Sequence, residues 1–156
     1  MAVSEMSQIE KKIVLRAPRE RVWRALTNID EFSKWFGVET AGTFAPGARL
    51  EMKTTNEGYE GILFFVMVER MEPPQTFSWR WHPGMPEPGV DYSQEPMTEV
   101  VFELTEVAGG TELTVVESGF DRIALSRRAR AFADNDKGWE YQLLSIGRFL
   151  DASAQR

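Results

Sequence analysis

A chain of 156 residues with 42% apolar and 27% charged residues has the size and composition of one globular domain, which excludes a disordered or low-complexity polymer. Cysteine is absent and histidine occurs once, so disulfides, thiolate metal centres and cysteine nucleophiles are excluded, and neither a metal site nor a cofactor is expected. Eighteen basic against twenty-four acidic residues leave a net charge of −6, which opposes the phosphate neutralisation behind nucleic-acid binding.

The opening MAVSEMSQIEKK has acidic and polar residues where a secretory signal needs a basic stretch followed by an apolar one. The expected location is therefore the cytoplasm, which the lack of cysteine also suits. The longest apolar run, Ile62 to Val68, falls well short of the roughly 20 residues of a membrane-spanning helix, so no membrane partner is expected. Residues 1–7 read as the flexible N-terminus of a single domain spanning 1–156.

Ile9, Lys11, Ile13 and Leu15 alternate with Glu10, Lys12, Val14 and Arg16, the period of a first strand with one largely apolar face. Ala17-Pro18 ends it, and Pro18 suits the first turn of a helix, where its missing N–H costs nothing. Val22, Ala25, Leu26 and Ile29 then recur at helical spacing. Asp30 offers a carboxylate cap to a second short helix, with Phe32, Trp35 and Phe36 on its apolar side and Gly37 as its terminator.

From there the period is 2, broken at Ala45-Pro46-Gly47, Asn56-Glu57-Gly58, Pro73-Pro74 and Ala108-Gly109-Gly110. These breaks bound strands near 48–55, 59–71, 75–82, 98–107 and 111–119, and the short turns imply an antiparallel meander. Phe77, Trp79 and Trp81 share one strand face, with Ser78, Arg80 and His82 on the other; Val100, Phe102, Leu104, Leu113 and Val115 continue the inward set. The run ILFFVMV is apolar on both faces, so its outer side is expected to be covered, and a homodimer would cover it.

Pro83 to Met97 holds Pro83, Pro86, Pro88 and Pro96 with Gly84 and Gly89 and keeps neither period, so it reads as a long loop of the kind that is usually functional or disordered. Beyond Phe120, helical spacing returns at Phe132, Trp139, Leu143, Ile146 and Leu150. Asp134-Asn135-Asp136-Lys137-Gly138 is poor helix-forming sequence, which leaves open a kink, a fresh start capped by Asp134 or Asp136, or one unbroken rod. The expected fold is α+β: two short helices after the first strand, then a curved antiparallel sheet of about six strands wrapped around a long C-terminal helix, with a pocket between sheet and helix.

Five strings carry a family resemblance: APRERVWRALTNIDEFSKWFG at 17–37, FAPGARLEM at 44–52, VERMEPPQTFSWRW at 68–81, GGTELTVVESGF at 109–120 and GWEYQLLSIGRFL at 138–150. In these and in its order of elements the chain resembles the START-like or SRPBCC superfamily, the helix-grip fold of birch-pollen-allergen-like proteins. Within it, the chain is most similar to homologues of the C-terminal domain of the activator of heat-shock-protein-90 ATPase. The resemblance implies a cavity between the concave sheet face and the C-terminal helix. Trp35, Phe77, Trp79, Trp81, Phe120, Trp139 and Leu143 are the candidate ligand contacts there, and Tyr92 and Met97 belong to a loop that would overhang the mouth.

Catalytic chemistry has few supports. His82 is the one base available to a Ser/His/Asp arrangement, and alternation puts it outside or at the strand end. G-x-S-x-G, P-loop and G-x-G-x-x-G motifs are absent. Glu117 is the candidate general acid or base, because it extends the inward series of Leu113 and Val115; the alternative is a solvated or arginine-paired carboxylate at the rim. Arg127, Arg128 and Arg130 read as an exposed helix flank. The leading expectation is non-catalytic binding of an apolar or aromatic small molecule, since aromatic walls with few polar groups are the usual composition of a ligand pocket. The resemblance suggests two alternatives, a stress-related co-chaperone module with a chaperone partner and a polyketide cyclase or hydrolase.

Overall fold

The computed structural model describes residues 7–154. The flexible N-terminus expected at 1–7 falls on residues 1–6, which lie outside the described residues; at Ser7 the backbone carbonyl accepts the Phe120 N–H at 3.3 Å. The chain runs β1 (Gln8–Leu15), α1 (Arg19–Thr27), α2 (Ile29–Phe36), β2 (Val38–Thr40), β3 (Arg49–Thr54), β4 (Leu63–Glu72), β5 (Thr76–Trp81), β6 (Thr98–Val107), β7 (Gly110–Ser118), a 3-10 turn (Phe120–Arg122) and α3 (Leu125–Ala154). The strands form one antiparallel sheet in the order β1-β7-β6-β5-β4-β3-β2, and α3 lies across its inner face. Among the described residues no helix is long and apolar enough to cross a membrane.

The architecture is the expected α+β helix-grip, with seven strands in place of about six. β2 is three residues long, too short to show a period, and pairs Val38, Glu39 and Thr40 with Thr54, Lys53 and Met52. β4 begins at Leu63 rather than 59, because Gly58 and Gly61 take left-handed conformations and turn the segment before it. Pro18 is the N-cap of α1 and stands outside its first turn. Asn28, not Asp30, caps α2, its side-chain oxygen accepting the Glu31 N–H at 3.0 Å. Gly37 ends α2 as expected, at φ 82.

α3 is one unbroken helix of 30 residues, about 45 Å long. Its weak helix formers are held by tertiary contacts. Asp134 accepts the Met85 N–H at 3.1 Å, Asn135 accepts the Gly84 N–H at 3.0 Å, and Asp136 pairs with Lys11 at 3.0 Å. Propensity differences of roughly half a kcal/mol per residue do not break a helix fixed at three successive positions. Lys11, the odd charge on the inner face of β1, thereby finds its partners, Asp136 and Glu140, on α3. Gln142 Nε2 and Ser145 Oγ of α3 donate to the carbonyls of Phe36 and Trp35 at 2.9 and 2.5 Å, satisfying orphan acceptors at the end of α2.

The core is a chain of ring contacts. Phe32 stacks on Phe36 at 4.7 Å and meets Phe44 edge-on at 5.0 Å; Phe77 meets Trp79 at 5.7 Å, Trp79 meets Phe102 at 5.2 Å, and Phe102 meets Trp139 at 5.6 Å. The alternation of β5, β6 and β7 delivers these rings to one face, so the concave side is packed with side chains.

Two glycines separate backbone clash from helix propensity. A Cβ at Gly110, which opens β7, would lie 2.0 Å from the Leu15 carbonyl oxygen, whereas one at Gly147 on α3 would lie 3.6 Å from Leu15 Cδ2. Gly110→Ala is expected to lower stability by about 2 kcal/mol or more, and Gly147→Ala to raise it by up to about 1 kcal/mol. Urea denaturation of the two variants measures both signs.

Candidate functional site

Glu117 lies in the inward row Ile9–Glu117–Val100–Trp79–Val68, which crosses β1, β7, β6, β5 and β4. α3 covers the row, and Glu117 is 0% exposed. Burying a carboxyl without partners would cost several kcal/mol, on the order of the transfer penalty for an ionised group. The fold supplies donors from three elements. Thr98 Oγ1 on β6 and Trp81 Nε1 on β5 lie 2.6 and 2.9 Å from Oε2; Trp139 Nε1 on α3 donates to Oε1 at 2.8 Å, and Asn135 Nδ2 to both oxygens at 2.9 Å. The Gly84 N–H on Asn135 Oδ1 fixes which way that amide points.

No cation is among these partners, so the rim reading of Glu117, solvated or arginine-paired, is replaced by a buried, saturated acid. Burial pushes its pKa up, and the hydrogen bonds from Thr98, Trp139, Trp81 and Asn135 pull it back part of the way. The indoles and the Asn135 amide nitrogen only donate, which leaves Thr98 Oγ1 as the one partner able to accept a proton from the neutral acid.

Beside this network lies a small gap of about 80 Å³ walled by Phe36, Trp81, Asn135, Gly138, Trp139 and Gln142. The structure thus brings Trp81 and Trp139 together at unfilled space, their ring centroids 5.8 Å apart. It packs the other expected contacts into the core. Phe77 and Trp79 are fully buried, Trp35 donates its indole N–H to the Ala25 carbonyl at 2.7 Å, Leu143 is buried on α3, and Phe120 meets Phe132 edge-on at 5.2 Å. Tyr92 and Met97 stand elsewhere, with His82, around a cavity of about 530 Å³ on the other side of the sheet. Among the described residues no group of His, Asp or Glu is placed to hold a metal ion.

Pattern marks Asn135 and Gly138 as weak helix formers rather than site residues, and does not mark Gln142. Their signal is the register of α3: 135, 138, 139 and 142 fall on one helix face, with Trp139 as the residue that marks it as inward. The basic cluster also differs from its reading as an exposed flank. Arg128 is buried and donates to the Ile123 and Asp121 carbonyls, and only Arg130 is well exposed. Arg127 holds the loop: it binds Glu95 at 2.6 and 2.8 Å, donates to the Pro83 carbonyl, and lies 4.6 Å over the Tyr92 ring. The outer side of ILFFVMV is covered in part by the chain's own loop, with Phe65 and Met67 half-buried and Leu63 still 68% exposed.

A curved seven-stranded sheet closed on a long C-terminal helix, with two short helices after the first strand, defines a helix-grip domain. The sequence profile described as Activator of Hsp90 ATPase homolog 1-like protein matches residues 16–151, and the chain belongs to that family. Solved structures with the same fold include protein MLL2253 of Mesorhizobium loti, at 24% identity and a TM-score of 0.72 over 93% of this chain and 97% of that one. The Aha1 dimer of Colwellia psychrerythraea aligns at 24% identity and a TM-score of 0.69, over 92% and 95% of the two chains. Protein Ms6760 of Mycobacterium smegmatis aligns at 18% and 0.75, over 94% and 91%. At such identities the likeness speaks for the fold alone. No protein of curated function matches the sequence.

The Glu117 network makes a signed prediction. Glu117→Gln turns one acceptor oxygen into a donor facing donors, leaving at least one indole N–H unpaired, so a loss of about 1–3 kcal/mol is expected. A carboxyl whose folded pKa lies above its unfolded value stabilises the fold in its protonated form. That contribution is complete below the unfolded pKa and is lost as pH rises through the folded one. Wild-type stability relative to Glu117→Gln should therefore fall as pH rises from 4 toward neutrality, as measured by denaturation across that range. A rise over the same range would mean that the donors, not burial, control the group.

Proposed function

We propose that the chain is a non-catalytic binding protein for an apolar or aromatic small molecule, which it takes at the sheet–helix gap walled by Phe36, Trp81 and Trp139. The observation that carries this reading is the state of Glu117. Its two oxygens are engaged by four donor groups and it does not border the gap, so it acts as a positioning residue for two indoles rather than as a free acid or base. A space of about 80 Å³ takes one ring, so the rest of the ligand would lie along the half-buried face of Trp81 and Gln142 at the mouth. Aromatic walls with one or two amides for orientation are the composition of an apolar ligand site.

The test fills the gap from α3. A Cβ at Gly138 meets nothing within 4 Å, so Gly138→Phe introduces a ring into the space without a backbone clash. Titrating the wild type with a panel of fatty acids, flavonoids and polyketides is expected to quench tryptophan fluorescence saturably for one class, with affinity at least tenfold weaker in Gly138→Phe. A flat response across the panel, or equal affinity in the filled variant, overturns the reading.

A further inference from the structure

The cavity on the outer side of the sheet, about 530 Å³, is used by nothing described so far. Alternation along β4 creates its floor: Val66 and Val68 point toward the interior while Leu63, Phe65 and Met67 project outward, and Phe64, near the strand's start, borders the cavity from the inner side. The outward face of an antiparallel sheet is ordinarily solvated and polar, and three alternate apolar side chains there depart from that pattern. His82, just past the end of β5, forms one wall, and the loop 83–97 forms the roof through Tyr92 and Met97.

The roof is fixed by charge-assisted contacts to α3. Besides the Arg127 clasp on Glu95 and Tyr92, Arg130 binds Glu87 at 2.6 Å, and the Gly84 and Met85 N–H groups bind Asn135 and Asp134. The cavity is therefore preformed, and its volume lies within the range of roughly 300–1,000 Å³ typical of small-molecule sites.

The arginines in its wall are already matched. Arg127 is paired with Glu95; Arg49 is paired with Glu51 at 2.8 Å while its guanidinium lies 3.8 Å over the Phe65 ring; and the Asp91 carboxylate accepts the Ser93 N–H at 2.9 Å. An anionic ligand would lose its hydration without gaining a free cation, and a cationic one would find the wall's one carboxylate without a cation, Asp91, exposed to solvent. His82 is the polar group left over. Its ring stands edge-on to Phe65 at 5.7 Å; Nδ1 is buried without a hydrogen-bond partner among the described residues, which leaves Nε2 as the nitrogen a ligand can reach. Desolvation, the largest influence on it, favours the neutral imidazole.

We propose that this outer cavity is a second binding site, separate from the sheet–helix gap, for an uncharged planar aromatic molecule of about three rings. The ligand lies against Phe65 and Met67, beneath Tyr92 and Met97, and hydrogen-bonds the His82 imidazole. The cavity and the gap share no lining residue, and one ring contact, Phe64 edge-on to Trp81 at 5.9 Å, lies between them.

N-phenyl-1-naphthylamine, an uncharged aromatic whose fluorescence rises in apolar surroundings, is the probe. The wild type is expected to bind it saturably, one per chain. Met67→Trp fills the cavity from the floor and Ser93→Trp from the exposed roof, so a folding defect in one does not disable the test; each should weaken binding at least tenfold. Gly138→Phe should leave it unchanged, which separates this site from the one proposed above. Uncharged flavones should displace the probe, and aromatic carboxylates of the same size should not. Absence of saturable binding, full affinity in both filled variants, or loss in Gly138→Phe would overturn the site. Equal displacement by carboxylates would overturn the ligand class.

Discussion

A carboxyl group at 0% exposure is the constraint around which this interior is arranged. Glu117 needs donors, and β5, β6 and α3 each contribute at least one. None of them is local in sequence, so the network is complete only when the sheet has its correct register and the helix its correct rotation. Slipping β7 by one residue would turn Glu117 outward and bring Val116 in, leaving two indole N–H groups buried without acceptors. The same node reaches the long loop, because the Asn135 amide that donates to Glu117 also accepts the Gly84 N–H. One buried acid thus fixes the register of a strand, the azimuth of a helix and the anchor of a loop.

That arrangement decides how much of the concave side stays open. A strand that places Phe77, Trp79 and Trp81 on one face is the composition of a ligand pocket and also of a dense core. Here ring-to-ring contacts consume most of the volume: Phe44, Phe77, Trp79, Phe102 and Trp139 form a continuous series with centroids between 5.1 and 5.7 Å apart. Unfilled space survives at the mouth, where Trp81 and Trp139 are each held by their nitrogens to Glu117. The hydrogen bonds that bury the acid also hold two walls of the gap.

The fold was legible in the sequence wherever a period ran for several residues. The inward sets of β5, β6 and β7 and the apolar face of α3 followed from spacing alone, because burial selects residues at the period of the element that carries them. What spacing could not show was settled by contacts distant in sequence. The Asp134–Lys137 stretch of α3 is a poor local helix made stable by Lys11 and by the loop backbone. Glu117 is placed inward by alternation, but only the tertiary arrangement shows that its partners are two tryptophans, a threonine and an asparagine instead of an arginine. Arg127 looked like a solvated flank because nothing local predicts that Glu95 and Tyr92 come back to it across the loop. Tyr92 and Met97 are legible as loop residues, but the path of the loop takes them to the outer cavity and not over the sheet–helix mouth.

The end of β5 shows how closely the two spaces are tied together and how they stay distinct. One step of alternation turns Trp81 inward to the gap and His82 outward to the larger cavity. The gap has aromatic faces and two side-chain amides, whereas the outer cavity has apolar side chains framed by paired arginines, so the two differ in chemistry. The strand between them is paired to β4 and β6, and Phe64 of β4, which borders the cavity, packs edge-on against Trp81, which borders the gap. The one polar contact that touches both systems is the bond from the Gly84 N–H to Asn135, since Gly84 borders the cavity and Asn135 the gap. Perturbations on the two sides should therefore couple through that bond and through the Phe64–Trp81 contact rather than combine additively.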